Sequence, residues 1–495
     1  MSGNLTSTHP MAVIAAFVVN AVLNLALGLL IAQILGPADF GRFALGTAGA
    51  VVLTIMLFEW LRLSATRFYS ARVRDTEPWI RAMLDRAYAA TALGLAGAAV
   101  LLLAGHPLVG EPALLAAAAA GAAVGIGLFD YQAALARARF VGGLYLRLVL
   151  IKNGLALVLM VGTAWATADA AAVMLAGGLS QLFAALLIRR ALADPPIPHG
   201  ADRRRDALRL FMAYGLPVVA ANVIYQLMPF ANRWAIAAAA GFAEAGYFSL
   251  AADIGARLFS TLGAALDLLL FQIAVLAAET HGREAGEAQV ARNGAVVLAL
   301  LLPSAAGFWA VAPALDAIAV PAAYRGHFVD YTLLLIPGLV ALALMNFALN
   351  PVFQIRRRTL PLIAAGGVGA LVNLVAALAL ARPFGPHGIA AAQSLGLLAA
   401  MLVLGFRALT GPGRLRMPWR DPAAVVLATA AMTVAILPLR GLDPWLALPA
   451  CVAVGGLVYG GLVWRFDIAG LRAAVVARFG RAVPAEQGLE DPMSS

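Results

Sequence analysis

Apolar residues fall along the whole chain in blocks of helix-spanning length, separated by short polar breaks rich in Arg, Gly and Pro. A helix needs roughly 20 apolar residues to cross the hydrocarbon of a bilayer. The short alternating segments of a membrane β-barrel are missing. The blocks predict fourteen helices. Six cover roughly 11–34, 43–63, 83–104, 112–136, 147–166 and 170–188, and six more cover 211–235, 247–276, 291–312, 331–355, 361–381 and 387–407. A final pair lies near 422–439 and 445–464. The first block is long and lacks both a basic n-region and a convincing cleavage site, so it reads as a helix rather than a signal peptide.

One polar break is repeated. Residues Gly36 to Leu45 read GPADFGRFAL, and Gly241 to Leu250 read GFAEAGYFSL, an offset of 205 residues. Gly36 then matches Gly241, Gly41 matches Gly246, Phe43 matches Phe248, and the acid Asp39 matches Glu244. Both copies sit between two apolar blocks, where a glycine-flanked turn re-aims the backbone. A duplicated membrane protein follows, its halves related by a parallel repeat.

Composition narrows this further. Hydrophobic residues make up 62% and charged residues 12% of 495 positions, too apolar a balance for a soluble chain of this length. The expected fold class is an all-α polytopic membrane protein. The net charge of +10 does not point to nucleic acid, because the arginines cluster between apolar blocks. The even-numbered connections and the C-terminal tail hold most of them, while the odd connections hold only Arg42, Arg233, Arg325, Arg382 and Arg440. Even connections and both termini are therefore expected in the cytoplasm. The expected units are a six-helix bundle over 1–190, a linker over 191–209, a second bundle over 210–410, a helix pair over 411–465 and a partly disordered tail over 466–495. The single cysteine, Cys451, excludes an intrachain disulfide and a cysteine-based metal site.

Polar residues inside the blocks are the candidates for chemistry, since they are costly in hydrocarbon. Asn222, Gln226, Pro229 and Arg233 follow 4-3-4 spacing and share one helical face. Asp253, Arg257, Ser260, Ala264 and Asp267 form a similar stripe on the next helix, where Asp253 and Arg257 are spaced to form an ion pair. Asn20 and Asn24 share a face of the first helix, and Asn346, Asn350 and Gln354 share one of the tenth. Thr47, Thr54, Glu59 and Arg62 mark the second, with Arg62 also readable as a topology signal. Such stripes either line a cavity or hydrogen-bond neighbouring helices.

Several segments together resemble the polysaccharide flippases of the multidrug/oligosaccharidyl-lipid/polysaccharide (MOP) exporter superfamily. They are ILGPADFGRFAL, YGLPVVAANVIYQLMPFANRWAI, AGFAEAGYFSLAADIGARL, IRRRTLPLIAAGGVGALVNLVAALAL and FGPHGIAAAQSLG, and the likeness spans about residues 11–410. It implies two six-helix bundles around a cavity lined by helices 1, 2, 7 and 8. Where that family has Asp-Arg late in the seventh helix, this chain has Asn232-Arg233, which speaks against Asp-dependent ion coupling there.

The implied activity is movement of a lipid-linked oligosaccharide, carried on polyprenyl pyrophosphate, from the cytoplasmic to the periplasmic leaflet of a bacterial inner membrane. Arg257 is the expected phosphate ligand, because a guanidinium binds phosphate bidentately. Arg233 is its expected partner, Arg62 a further cation, and Asn24, Asn222 and Gln226 the groups for sugar hydroxyls. Asp253 and Asp267 instead suit an exporter of cationic drugs. A membrane glycan polymerase or transferase is the alternative from another class. It needs a catalytic group in a large loop, whereas the odd connections are short and His106, His327 and His387 stand apart from acids. The reading is thus a transporter and not an enzyme, with no cofactor. Its partners are the lipid-linked substrate, membrane lipids and polysaccharide-assembly proteins. Reporter fusions at Arg204 and Arg414 are expected to read cytoplasmic, and fusions at Gly110 and Arg325 periplasmic. A periplasmic signal at Arg204 overturns the fourteen-helix topology.

Overall fold

The computed structural model describes residues 10–139, 142–194, 204–356, 358, 360–410, 415–470 and 472. Long helices fill this range, and no strand occurs among the described residues. In chain order they are α1 (Pro10–Phe68), α2 (Trp79–Ala104), α3 (Glu111–Ala138), α4 (Gly142–Thr167), α5 (Ala170–Ile188), α6 (Arg204–Ala240), α7 (Phe242–His281), α8 (Arg283–Ile318), α9 (His327–Leu344), α10 (Leu360–Leu409), α11 (Arg420–Ile436) and α12 (Pro444–Phe466). Ten of the described helices are long and apolar enough to cross a membrane, and α6, bent by 40°, makes an eleventh. Because α1 and α10 each fold back at a glycine, Gly36 and Gly385, each contributes two passes. With α7, 40 residues long, the chain fits about fourteen passes.

The repeated turn is made by one residue in each copy. The backbone is at φ 71°, ψ 174° at Gly36 and at φ 90°, ψ 171° at Gly241. This region is essentially closed to residues with a Cβ. The break expected between the first two helices, residues 35–42, is therefore a single hinge. Helix resumes at Pro37, whose fixed φ suits a first helical position, so Asp39 and Arg42 lie within a helix rather than a loop. The predicted linker is also shorter than expected, because α6 begins at Arg204. Residues 195–203 and the tail from 473 lie outside the described residues.

The two copies of the motif meet each other. A Cβ on Gly41 would run into the carbonyl oxygen of Phe242, and one on Gly246 into the carbonyl oxygen of Pro37. The second limb of α1 and the start of α7 thus cross backbone to backbone, as small residues allow in membrane helices. Around the crossing, Arg42 lies over the Phe242 ring at 4.8 Å, and the Tyr324 hydroxyl donates to the Ala32 carbonyl at 3.1 Å. Tyr247 stacks on His327 at 4.0 Å, and Tyr331 stacks on His387 at 4.7 Å while donating to Glu244. This end of the interface between the halves is an aromatic cluster. Farther along, α1 and α6 meet again, where Phe68 packs on the buried Phe211 at 5.0 Å and on Tyr214 at 5.5 Å.

The start of the inter-half segment is clasped to the first half. Arg139 donates to the carboxylate of Asp194 and to the carbonyl of Leu192, and Arg81 reaches the same two groups. The Tyr69 hydroxyl completes the clasp at 2.8 Å from Asp194.

Gly41→Ala and Gly246→Ala are each expected to destabilise the protein by about 1–3 kcal/mol, since the clash is with backbone that cannot rotate away. Gly28→Ala in the same first helix, where a Cβ meets nothing within 4 Å, serves as the control and should be neutral or mildly stabilising. Thermal midpoints in detergent check this, and equal midpoints for all three variants would remove the crossing as a structural constraint.

Candidate functional site

Between the two contact regions lies a cavity of about 1040 Å³. Six of the eight sequence-predicted residues line it: Asn24, Asn222, Gln226, Arg233, Asp253 and Arg257. Arg62 does not. It pairs with Glu59 on its own helix, and Glu59 also accepts from Asn222 at 3.4 Å. Asp267 and Asn20 belong to stretches whose side chains lie outside the described residues. The lining is wider than helices 1, 2, 7 and 8. Residues of α3, α4, α5, α9 and α10 also reach it, among them Lys152, Ser180, Gln181 and Gln393.

The expected ion pair between Asp253 and Arg257 is not formed. Asp253 instead pairs across helices with Arg233, whose side chain is 11% exposed. The i, i+4 spacing placed Asp253 and Arg257 on one face, but a guanidinium on the neighbouring helix reaches the carboxylate better. Arg257 points into the cavity and is exposed there. Lining the same cavity from the other half is Lys152 of α4, the chain's single lysine, which feels the charges of both Arg257 and Asp130. Lys152 also lies 5.6 Å from the ring of Phe129. Among the described residues, neither Arg257 nor Lys152 forms an ion pair. Lys152 lies near the start of its apolar block, where a cation reads as a boundary residue. Its signal in the sequence was being the one lysine among many arginines, inside a predicted span.

The remaining lining is amide and hydroxyl. The tenth-span stripe survives, but through a π-helical turn at Met345–Leu349. Such turns often re-aim side chains at functional positions. Asn346, Asn350 and Gln354 all reach the cavity, and Asn350 donates to Asn346 at 3.3 Å. Several lining atoms are buried without a hydrogen-bond partner, namely Thr47 Oγ1, Asn350 Oδ1 and Arg233 Nε. Orphaned donors and acceptors at a cavity wall suit a polar ligand. Beside Arg233, Asn232 turns away from the cavity and is 2% exposed. Its amide exchanges hydrogen bonds with Asn373 at 3.0 and 3.1 Å and donates to Gln393 at 3.1 Å.

A many-helix membrane protein with two joined halves and a polar chamber between them has the architecture of a transporter. Neither a protein-family model nor a curated protein matches the sequence. Solved structures do match the fold. It aligns with the lipid II flippase MurJ in an inward closed conformation over 93% of this chain and 99% of that one, with a TM-score of 0.72 and 13% identity. An inward-facing multidrug resistance MATE family transporter of the MOP superfamily aligns over 82% and 96%, with a TM-score of 0.59 and 15% identity. A MOP superfamily transporter from Pyrococcus furiosus, described as having a binding pocket of reverse polarity, aligns over 86% and 96%, with a TM-score of 0.54 and 16% identity. The chain has the MOP-superfamily fold.

Arg233→Ala is expected to orphan Asp253 and lower stability by about 1–3 kcal/mol, between the values for exposed and buried pairs because Asp253 is half-exposed. The double variant Arg233→Gln with Asp253→Asn should recover most of the lost protein level in membranes. A fully stable Arg233→Ala protein would show that the pair has no structural role.

Proposed function

We propose that this protein moves an anionic, lipid-linked oligosaccharide across the bacterial inner membrane, from the cytoplasmic to the periplasmic leaflet. The observation that carries the reading is the charge of the cavity lining. Among the described residues, its charged groups are Lys152, Arg233, Arg257 and one acid, Asp253, which Arg233 already engages. A pyrophosphate head group would neutralise the two remaining cations, one from each half. Without it, Lys152 and Arg257 repel each other in a low-dielectric space. With it bound between them, the attraction favours approach of the halves, so substrate binding and closure are coupled.

Arg257 supplies the planar fork suited to phosphate, and Lys152 supplies a point charge. Asn24, Asn222 and Gln226, with the amides of the α9 π-turn region, offer donors and acceptors to sugar hydroxyls. The cavity volume is near the upper end of ordinary ligand pockets, about 300–1,000 Å³, which fits a glycan head group while the polyprenyl chain stays in lipid. The alternative, an exporter of cationic small molecules, draws on the likeness to MATE transporters. Among the described lining residues the acid open to it is Asp253, and that carboxylate is paired.

Deletion of the gene followed by lipid extraction tests the reading. Intact oligosaccharide-lipid should accumulate facing the cytoplasm, whereas unpolymerised substrate reaching the periplasm would indicate a polymerase instead. In complementation, Arg257→Ala is expected to lower transport at least about ten-fold, the scale of one lost charge-assisted hydrogen bond. Protein level should stay normal. Arg257→Lys should rescue poorly, and Lys152→Ala should lower transport in the same direction. Full activity in both alanine variants, at normal protein level, would remove the anion site.

A further inference from the structure

A second polar pocket lies away from the cavity and shares none of its lining residues. It is a groove of about 610 Å³, walled by α2 and the end of α5 and floored by α3. Two side chains in its wall are more than nine-tenths buried and incompletely satisfied. Arg81 is 8% exposed, and its Nε has no hydrogen-bond partner, although the Asp85 carboxylate lies 3.5 Å away. Gln132 is 6% exposed, and its Oε1 has no partner. The Arg81 guanidinium is held by the carboxylates of Asp85 and Asp194, whereas the Gln132 oxygen is an orphaned acceptor. Such an acceptor costs free energy unless something from outside completes it.

The rest of the groove indicates what that is. Asp85 is half-exposed at the pocket and accepts from the Tyr131 hydroxyl at 2.7 Å. The rings of Tyr131 and Tyr88 stack nearly parallel, 6.2 Å apart. Acid, amide oxygen and aromatic faces together suit an ammonium group. The exposed Arg189, at the same end of the groove as Arg81, suits a phosphate oxygen. The groove borders apolar surface. Leu186 is part of its wall and continues down α5 as Phe183, Leu179 and Leu175, an exposed apolar stripe at helical spacing. Leu175 leans against α3 where a Cβ on Gly121 would sit.

We infer that this groove is a binding site for a zwitterionic amino-phospholipid, with its ammonium at Gln132 and Asp85, its phosphate at Arg81 and Arg189, and an acyl chain along Leu175–Leu186. The site is independent of what the central cavity carries. An anionic phospholipid brings no cation to the half-exposed Asp85 and sets a second negative charge beside it.

The test uses the full-length protein purified in mild detergent and titrated with phosphatidylethanolamine or phosphatidylglycerol, read by native mass spectrometry. One phosphatidylethanolamine is expected to bind in preference to phosphatidylglycerol, and Gln132→Leu should weaken it about ten-fold, as loss of one hydrogen bond to a charged group would. Gln132→Leu should be as stable as the parent, or more so, in lipid-free detergent, because a buried orphan acceptor has gone. Arg257→Ala in the central cavity should bind the lipid like the parent. Water-soluble phosphoethanolamine should compete only weakly, since it lacks the acyl chain. Preference for phosphatidylglycerol, unchanged binding by Gln132→Leu, or full competition by the soluble head group would each overturn the assignment.

Discussion

The contact between Gly41 and Phe242, mirrored by that between Gly246 and Pro37, is the constraint on which the rest of the architecture hangs. Two helices cross there with main chain against main chain, and no side chain fits between them. Gly36 and Gly241 then have to turn the chain at once, in a backbone conformation only glycine tolerates. Helices pinned so closely at one end separate as they run on, and the space they open is the cavity. Side chains too large for the crossing gather around it instead. Tyr247, Tyr324 and Tyr331, with His327 and His387, cluster at that end.

Much of this was legible in the sequence, because the membrane forces it into the hydrophobic pattern. Every backbone polar group must be satisfied within its own helix, so block length and block count read out directly as passes. The duplicated glycines were visible for the same reason that they matter, since no other residue can replace them. What was not legible is which partner a charged group chooses across helices. Spacing put Asp253 and Arg257 on one face, but the partner of Asp253 is Arg233 of α6, fixed by how α6 and α7 pack. Lys152 was hidden differently. A cation near the end of an apolar block reads as a loop residue, and only packing of α4 against the chamber shows that it faces inward.

Asn232 shows how the departure from the Asp-Arg pattern was accommodated. Its amide is buried and gives as well as receives, in a closed network with Asn373 and Gln393 that joins α6 to both limbs of α10. Carboxamides carry no net charge at any physiological pH, so this position contributes packing and direction but no titration. The neighbouring Arg233 keeps its charge and spends it on Asp253.

That leaves a cavity whose charge balance constrains its mechanism. A cycle driven by exchange of a cation at Asp253 would have to break the Arg233 pair in every turn and leave a guanidinium with buried Nε unpaired. Removing one partner from such a pair is costly even when the pair itself stabilises little. An anionic substrate asks for no such break. The proposed substrate would meet Arg257 and Lys152, one from each half, and would lower their mutual repulsion as it bound. On the proposed function, the same two charges would then hold the halves to a shared ligand, and conformational change would follow the occupancy of the cavity rather than the titration of its wall.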